Sequence, residues 1–199
     1  MVKSGLVDRP DVSHYRLAAH LTTAFVTFAY TFWVVLDILY PVKKAVNNSF
    51  KRLIQISFGI LILQIIYGAF VAGLDAGFIH NFWPMMSEGK FIHETVYIEQ
   101  EPLYRNFTEG KSGVQFTHRI LAYVVTILIF LIWNKARKME LSKDQTVGIN
   151  LLVLLLILQF TLGVFTLLLA VPVWLGVAHQ VGAFFLLSAM TYTLHRFSK

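Results

Sequence analysis

The chain has 199 residues, of which 56% are hydrophobic and only 14% charged, and its mean hydropathy is +0.63. Soluble domains carry roughly 25% charged residues, so this composition places the chain among membrane proteins. It has no cysteine, which excludes disulfides, iron–sulfur clusters and thiolate zinc sites, and its formal charge of +6 sits in short segments between apolar runs, which points to membrane lipid and not to nucleic acid.

The first fourteen residues, ending at His14, are polar and mixed in charge and lack the apolar stretch of a signal peptide. The first span is therefore expected to act as the insertion signal as well. Runs long enough to cross a hydrocarbon core, which needs about 20 apolar residues, fall at 15–40, 52–74, 114–134, 147–171 and 174–197. The expected fold is an all-α membrane protein, a bundle of about five transmembrane helices forming one domain over 1–199. Only Val171-Pro172-Val173 separates the last two runs, and Pro172 marks the break because it cannot continue a helix ladder. Four spans with one buried helix is the alternative.

The loops set the orientation. Lys43, Lys44, Lys51 and Arg52 fill the first, Lys135, Arg137, Lys138 and Lys143 dominate the third, and Arg196 and Lys199 close the chain. The 75–113 loop instead carries Asp75, Glu88, Glu94, Glu99, Glu101 and Glu109 against Lys90, Arg105 and Lys111. Positive-inside bias then places the N-terminus and the 75–113 loop outside and the C-terminus in the cytoplasm or matrix. Phe82, Trp83 and Pro84 are expected to anchor that loop at the interface.

Two of the spans echo each other. Leu63-Gln64-Ile65-Ile66-Tyr67-Gly68-Ala69-Phe70 and Leu158-Gln159-Phe160-Thr161-Leu162-Gly163-Val164-Phe165 share the frame L-Q-x-x-x-G-x-F. A glycine one turn past a glutamine admits a close neighbour or a flat ligand, while the amide can bond across the interface. Apolar helices often resemble one another by chance, so the frame alone does not establish a repeat.

His20, His118 and His179 lie about four or five residues inside three spans that all enter from the same side, so their imidazoles share one depth. Ionisable side chains inside a membrane are costly and point to function, although a lone histidine can equally serve a helix–helix hydrogen bond. No carboxylate lies within a turn of His118 or His179, as zinc or di-iron sites usually require. Two facing imidazoles suit a bis-histidine haem, with Gly163, Gly176 and Gly182 available to form its slot. Arg119 and Arg16 either face haem propionates or snorkel to the interface. His80, His93 and His195 are expected to be solvated.

Several segments together resemble the haem A synthases. They are Gly68-Ala69-Phe70-Val71-Ala72-Gly73-Leu74-Asp75-Ala76-Gly77, Asn81-Phe82-Trp83-Pro84, Val114-Gln115-Phe116-Thr117-His118-Arg119, Gly163-Val164-Phe165-Thr166 and Ala178-His179-Gln180. Tyr15-Arg16-Leu17-Ala18-Ala19-His20-Leu21 resembles that family's fourth helix, and residues 1–6 the segment before it. The resemblance implies an eight-helix protein of two pseudo-symmetric halves, each with a histidine pair. Such enzymes oxidise the C8 methyl of haem O to the formyl group of haem A for cytochrome oxidase. By the same resemblance His118 and His179 hold a b-type haem (haem b), with Arg119 beside it, and His20 belongs to the substrate-haem site.

The resemblance also has a gap. The family's E-x-x-H-R helix has no counterpart here, because Gln115 stands where the glutamate would be and an amide cannot act as a carboxylate base. Asp37 lies roughly 25 Å along the helix from His20 and cannot replace it. The chain thus looks like the last five helices of the enzyme, either as a fragment or as one part of an assembly. Its implied partners are haem O, haem O synthase, and a missing N-terminal half or a second copy. Residues 1–199 alone are expected to bind haem without making haem A. The implied location is the bacterial plasma membrane, with the mitochondrial inner membrane as the alternative. An electron-carrying b-type cytochrome, and a non-catalytic subunit or transporter, are the competing functions.

Overall fold

Helices take up most of residues 13–40 and 47–198, which this computed structural model describes. They are α1 (His14–Leu39), α2 (Asn48–Gly73), α3 (Lys111–Ala136), α4 (Lys143–Leu168) and α5 (Val173–Arg196). Four have 26 residues and α5 has 24, so each runs for about 36–39 Å and can cross a core of about 30 Å. The basic residues Lys43, Lys44 and Lys199 and the resembling segment 1–6 lie outside the described residues.

The helices start earlier than the apolar runs do, and at α2 and α4 side-chain caps set the start. The Asn47 side chain accepts from the Ser49 N–H at 2.7 Å, which opens α2 at Asn48 and not at 52. At α4, Ser142 Oγ accepts from the Gln145 N–H at 3.2 Å while Gln145 Oε1 accepts from the Ser142 N–H at 3.0 Å. This reciprocal pair satisfies two orphan donors and starts the helix at Lys143. The reversal between α4 and α5 spans residues 169–172. Ala170 and Val171 both take left-handed φ, 55° and 57°, and the Val171 N–H donates to Thr166 O at 2.8 Å. Pro172 then caps the start of α5.

Consecutive helices α2, α3, α4 and α5 pack side by side, and α5 returns to α2 to close a four-helix ring. In that ring α3 faces α5 across the diagonal, and α2 faces α4. Helix α1 lies outside it, against α2 and α5. The best-packed interior belongs to one half of the ring. Ile54, Ile129, Ile132, Leu152, Leu187 and Met190, all fully buried, come from the basic ends of their helices. At the opposite end the buried cluster is small, formed by Ala18, Ala69, Phe70 and Val114. Between the two, every residue from Phe116 to Val124 on α3 is only half-buried.

The α2–α3 connection caps this second end with three short 3-10 turns: Ala76–Phe78, Glu94–Tyr97 and Leu103–Phe107. Fully buried Asn106 organises it: its amide N–H groups donate to the carbonyls of Tyr97, Gln100 and Leu103, and its Oδ1 accepts from the Gln100 N–H at 2.8 Å.

Candidate functional site

His20, His118 and His179 lie six, seven and six residues past the starts of α1, α3 and α5, at His14, Lys111 and Val173. At about 1.5 Å per residue they sit about 9–10.5 Å in from one end of the bundle, a common depth. Their surroundings differ. His118 and His179 occupy the diagonal helices α3 and α5. His20 is on the exposed face of α1, and among the described residues no hydrogen bond or ion pair engages its side chain.

Each of these two imidazoles rests in the same three-residue setting. The Gln64 amide nitrogen lies 3.3 Å from His118 Nε2, and a Cβ on Gly68 would come within 3.2 Å of His118 Cε1. The Gln159 amide nitrogen lies 3.4 Å from His179 Nε2, and a Cβ on Gly163 would come within 2.9 Å of His179 Cε1. The shared L-Q-x-x-x-G-x-F frame therefore has a spatial meaning: glutamine meets the ring at Nε2 and glycine, one turn on, leaves room for its Cε1 edge. In both units His Nδ1 and Gln Oε1 are buried with no hydrogen-bond partner. Of the glycines named as a slot, Gly163 touches the imidazole, Gly182 packs against Gln159, and Gly176 has only Val171 near it.

Arg119 and Gln115 turn away from these rings and clamp the α2–α3 connection. Arg119 donates to the carbonyls of Phe82 (2.9 Å), Met85 (3.0 Å) and His80 (2.5 Å), and to Gln115 Oε1 at 3.1 Å. Its Nε is buried and unpartnered. The Gln115 amide nitrogen donates to Ala76 O at 2.8 Å and Ile79 O at 2.6 Å. Asn81 bridges the same segment to α4 through Gly77 O and Leu167 O. Trp83 is 43% exposed, with its ring edge-on to Phe160 of α4.

The expectation that His80 and His93 are solvated is corrected. Both are half-buried, their rings 4.7 Å apart, in a network around the start of α3. His80 Nε2 hydrogen-bonds Ser112 Oγ at 2.9 Å, Thr95 Oγ1 donates to Ser112 Oγ at 2.8 Å, and the Ser112 hydroxyl and N–H both donate to Glu99. Burial, with the nearby His93 and Arg119, holds the His80 imidazole below its ordinary pKa, against the opposing pull of Glu99. On the surface, the Lys90 ammonium at 2.6 Å holds Glu94 below the usual carboxylate range.

His195 is also not solvated. It is fully buried, its Nε2 is 2.9 Å from Asp37 Oδ1 of α1, and Trp33 meets its ring edge-on at 5.0 Å. Beside it Arg196 pairs with Asp144 at 2.9 Å and lies over the Tyr40 ring. This cluster joins α1, α4 and α5 at the end remote from His118 and His179. Asp37 thus has a structural partner.

The fold is that of a multi-pass α-helical membrane protein, with His118 and His179 at one depth on diagonal helices of a four-helix ring. Residues 1–191 match the COX15-CtaA family, described as cytochrome oxidase assembly protein, and the chain belongs to that family. It is similar to the haem A synthase of Flavobacterium psychrophilum, 59% identical over 199 residues that cover 100% of this chain and 59% of that protein. The Flavobacterium johnsoniae haem A synthase is 57% identical over 201 residues, covering 100% of this chain and 59% of its own. That of Nitrosospira multiformis is 42% identical over 199 residues, covering 98% and 55%. The chain thus spans under three fifths of the length of these curated relatives. With bacterial relatives and five helices able to span, it is a multi-pass bacterial membrane protein.

Proposed function

We propose that this chain serves haem A synthesis, the oxidation of the C8 methyl of haem O to the formyl group, with His118 and His179 as the axial ligands of a resident haem b. The observation that carries this reading is the twin Gln–Gly–His arrangement on opposite sides of the ring at one depth. The residues fit the group. Two imidazoles lie at one depth on diagonal helices, each keeps a buried nitrogen without a partner, and a glycine beside each leaves a cradle that a methyl would fill. A haem held there supplies a one-electron relay for a methyl-to-formyl oxidation that removes four electrons in all. The chain's own residues bind and orient: the histidines would hold the haem, and Arg119 and Gln115 hold the connection over that end of the bundle. Arg119 Nε is the guanidinium donor left for a propionate.

In this reading His20 contributes to the substrate-haem site, and its exposure on α1 fits a site completed by another polypeptide segment or a second copy. The charge distribution supports the histidine end outside and the C-terminus in the cytoplasm. A second reading, a b-type cytochrome that only carries electrons, draws support from Gln115. Its side chain is buried and given over to two backbone carbonyls, so it supplies no acid–base group. The two are separated by purifying the chain from a host that makes haem O and extracting its haems. Haem O bound beside haem b, and lost on His20→Ala, supports the synthase reading; haem b alone supports the electron carrier.

A further inference from the structure

A haem held by His118 and His179 has to reach the inside of the four-helix ring, and three of the ring's four seams are shut at that level. Between α2 and α3, Gly68 lies against His118; between α4 and α5, Gly163 lies against His179 and Gly182 against Gln159. The α2–α5 seam is covered by α1. The α3–α4 seam is different. At its basic end Val125, Ile129 and Ile132 of α3 and Ile149, Leu152 and Leu156 of α4 are buried in the large core. Towards the histidine end no residue of 116–124 on α3 or of 157–165 on α4 is buried. There Tyr123 meets Phe160 at 5.8 Å, and residues 80–85 of the α2–α3 connection lie across the gap, tied to Arg119 of α3 and to Leu167 and Phe160 of α4.

The form of this segment suits a part that moves. It is irregular backbone, entered through His80 at a left-handed φ of 49°. Non-helical backbone is tolerated against lipid only where protein takes up its polar groups, and Arg119 takes the carbonyls of His80, Phe82 and Met85. Asn81 adds two more ties, to Gly77 O and to Leu167 O. The apolar contribution is slight: Trp83 rests edge-on to Phe160 at 6.3 Å, while Phe82, Trp83 and Met85 stay exposed. A few polar ties over little buried apolar area mark a segment that opens locally. Both anchors adjoin the histidine units, since Arg119 follows His118 and Phe160 follows Gln159, which bonds His179.

We propose that the α3–α4 seam is the port through which a membrane-dissolved haem reaches His118 and His179, with residues 80–85 as its gate. The inference rests on the axial role of those histidines. The chemistry of port and ligand agrees. A haem is a flat apolar ring with two carboxylates at one edge, so it moves within the bilayer and can pass edge-first between two helices. Opening the gate frees the Arg119 guanidinium from three carbonyls, beside the histidine, where its fork can take a propionate.

The chain has no cysteine, so an introduced pair reacts alone. The test combines Trp83→Cys with Phe160→Cys, across the contact of the gate with α4, and joins them with a short bis-methanethiosulfonate that reductant cleaves. Apoprotein of the full chain is placed in phosphatidylcholine vesicles, haem is added, and the rise of the bis-histidine Soret band is timed. The joined pair should load at least about tenfold more slowly than the unjoined pair, and reductant should restore the rate. Asn81→Ala removes two ties and no haem-binding group. It should load at least about fivefold faster to the same final spectrum, the least that two neutral hydrogen bonds contribute. Equal rates in the joined and unjoined pairs overturn the port, as does a slowed rate that reductant leaves unchanged. Asn81→Ala loading at the wild-type rate overturns the gate. A wild-type chain that gains no bis-histidine spectrum overturns the axial reading instead, so the two failures are distinguishable.

Discussion

Replacing Gly163 by alanine places a methyl 2.9 Å from His179 Cε1, while the same change at Gly68 places one 3.2 Å from His118 Cε1. Ordinary van der Waals contact begins at 3.4 Å, so the first ring must retreat by 0.5 Å and the second by 0.2 Å. Metal–ligand distances tolerate about ±0.2 Å, which puts Gly68→Ala at the edge of tolerance and Gly163→Ala beyond it. Overpacking of this kind costs about 1–3 kcal/mol. If that cost falls on the ligated state, haem affinity drops roughly 5- to 150-fold for Gly163→Ala, at about tenfold per 1.4 kcal/mol. Gly68→Ala should lose less than about tenfold. A methyl added at Gly59, on the same helix as Gly68, would meet nothing within 4 Å, so Gly59→Ala serves as the control and should bind haem as wild type does. The assay is titration of haem into detergent-solubilised variants, followed by the Soret band of the bis-histidine complex. Equal affinities across the three variants, or a loss at Gly59→Ala matching that at Gly163→Ala, would refute the cradle.

Other consequences can be checked separately. Arg119→Lys keeps the charge but loses the fork that holds three carbonyls, so residues 80–85 should exchange amide hydrogens at least about tenfold faster, for about 1.5–3 kcal/mol of charged hydrogen bonding; unchanged exchange contradicts the clamp. Cysteines placed at the exposed positions Glu88 and Lys138 should label from opposite sides of the membrane, Glu88→Cys from outside and Lys138→Cys only after permeabilisation; the reverse pattern overturns the orientation. Because the fold holds the His80 pKa down, the opened connection binds a proton more readily than the closed one as pH falls below about 6.5. Protection of residues 76–112 should therefore be full above that pH and decline below it, and His80→Gln should flatten the profile; a wild-type profile already flat contradicts it.

Helix number, helix order and the common depth of His118 and His179 were legible in the sequence, because hydropathy and the 1.5 Å rise are local properties. The helix starts were less so. Asn47 and the Ser142–Gln145 box are readable capping signals, yet they lie in polar segments that an apolar count passes over. What escaped were pairings between residues distant in the chain. His195 reads as a terminal solvated residue until α1 brings Asp37, 158 positions earlier, to 2.9 Å. His80 and His93 read as loop histidines until the connection folds back over Ser112 and Glu99. The L-Q-x-x-x-G-x-F frame was visible as a pattern, but its purpose depended on which ring each copy meets, and only the ring of four helices supplies that.

The most direct test of the central claim is the reduced-minus-oxidised spectrum of the purified chain beside His118→Ala and His179→Ala. A low-spin bis-histidine haem b is expected in wild type and should be lost in both variants, with His20→Ala leaving that signal intact. An unchanged bis-histidine spectrum in either the His118 or the His179 variant would contradict the claim.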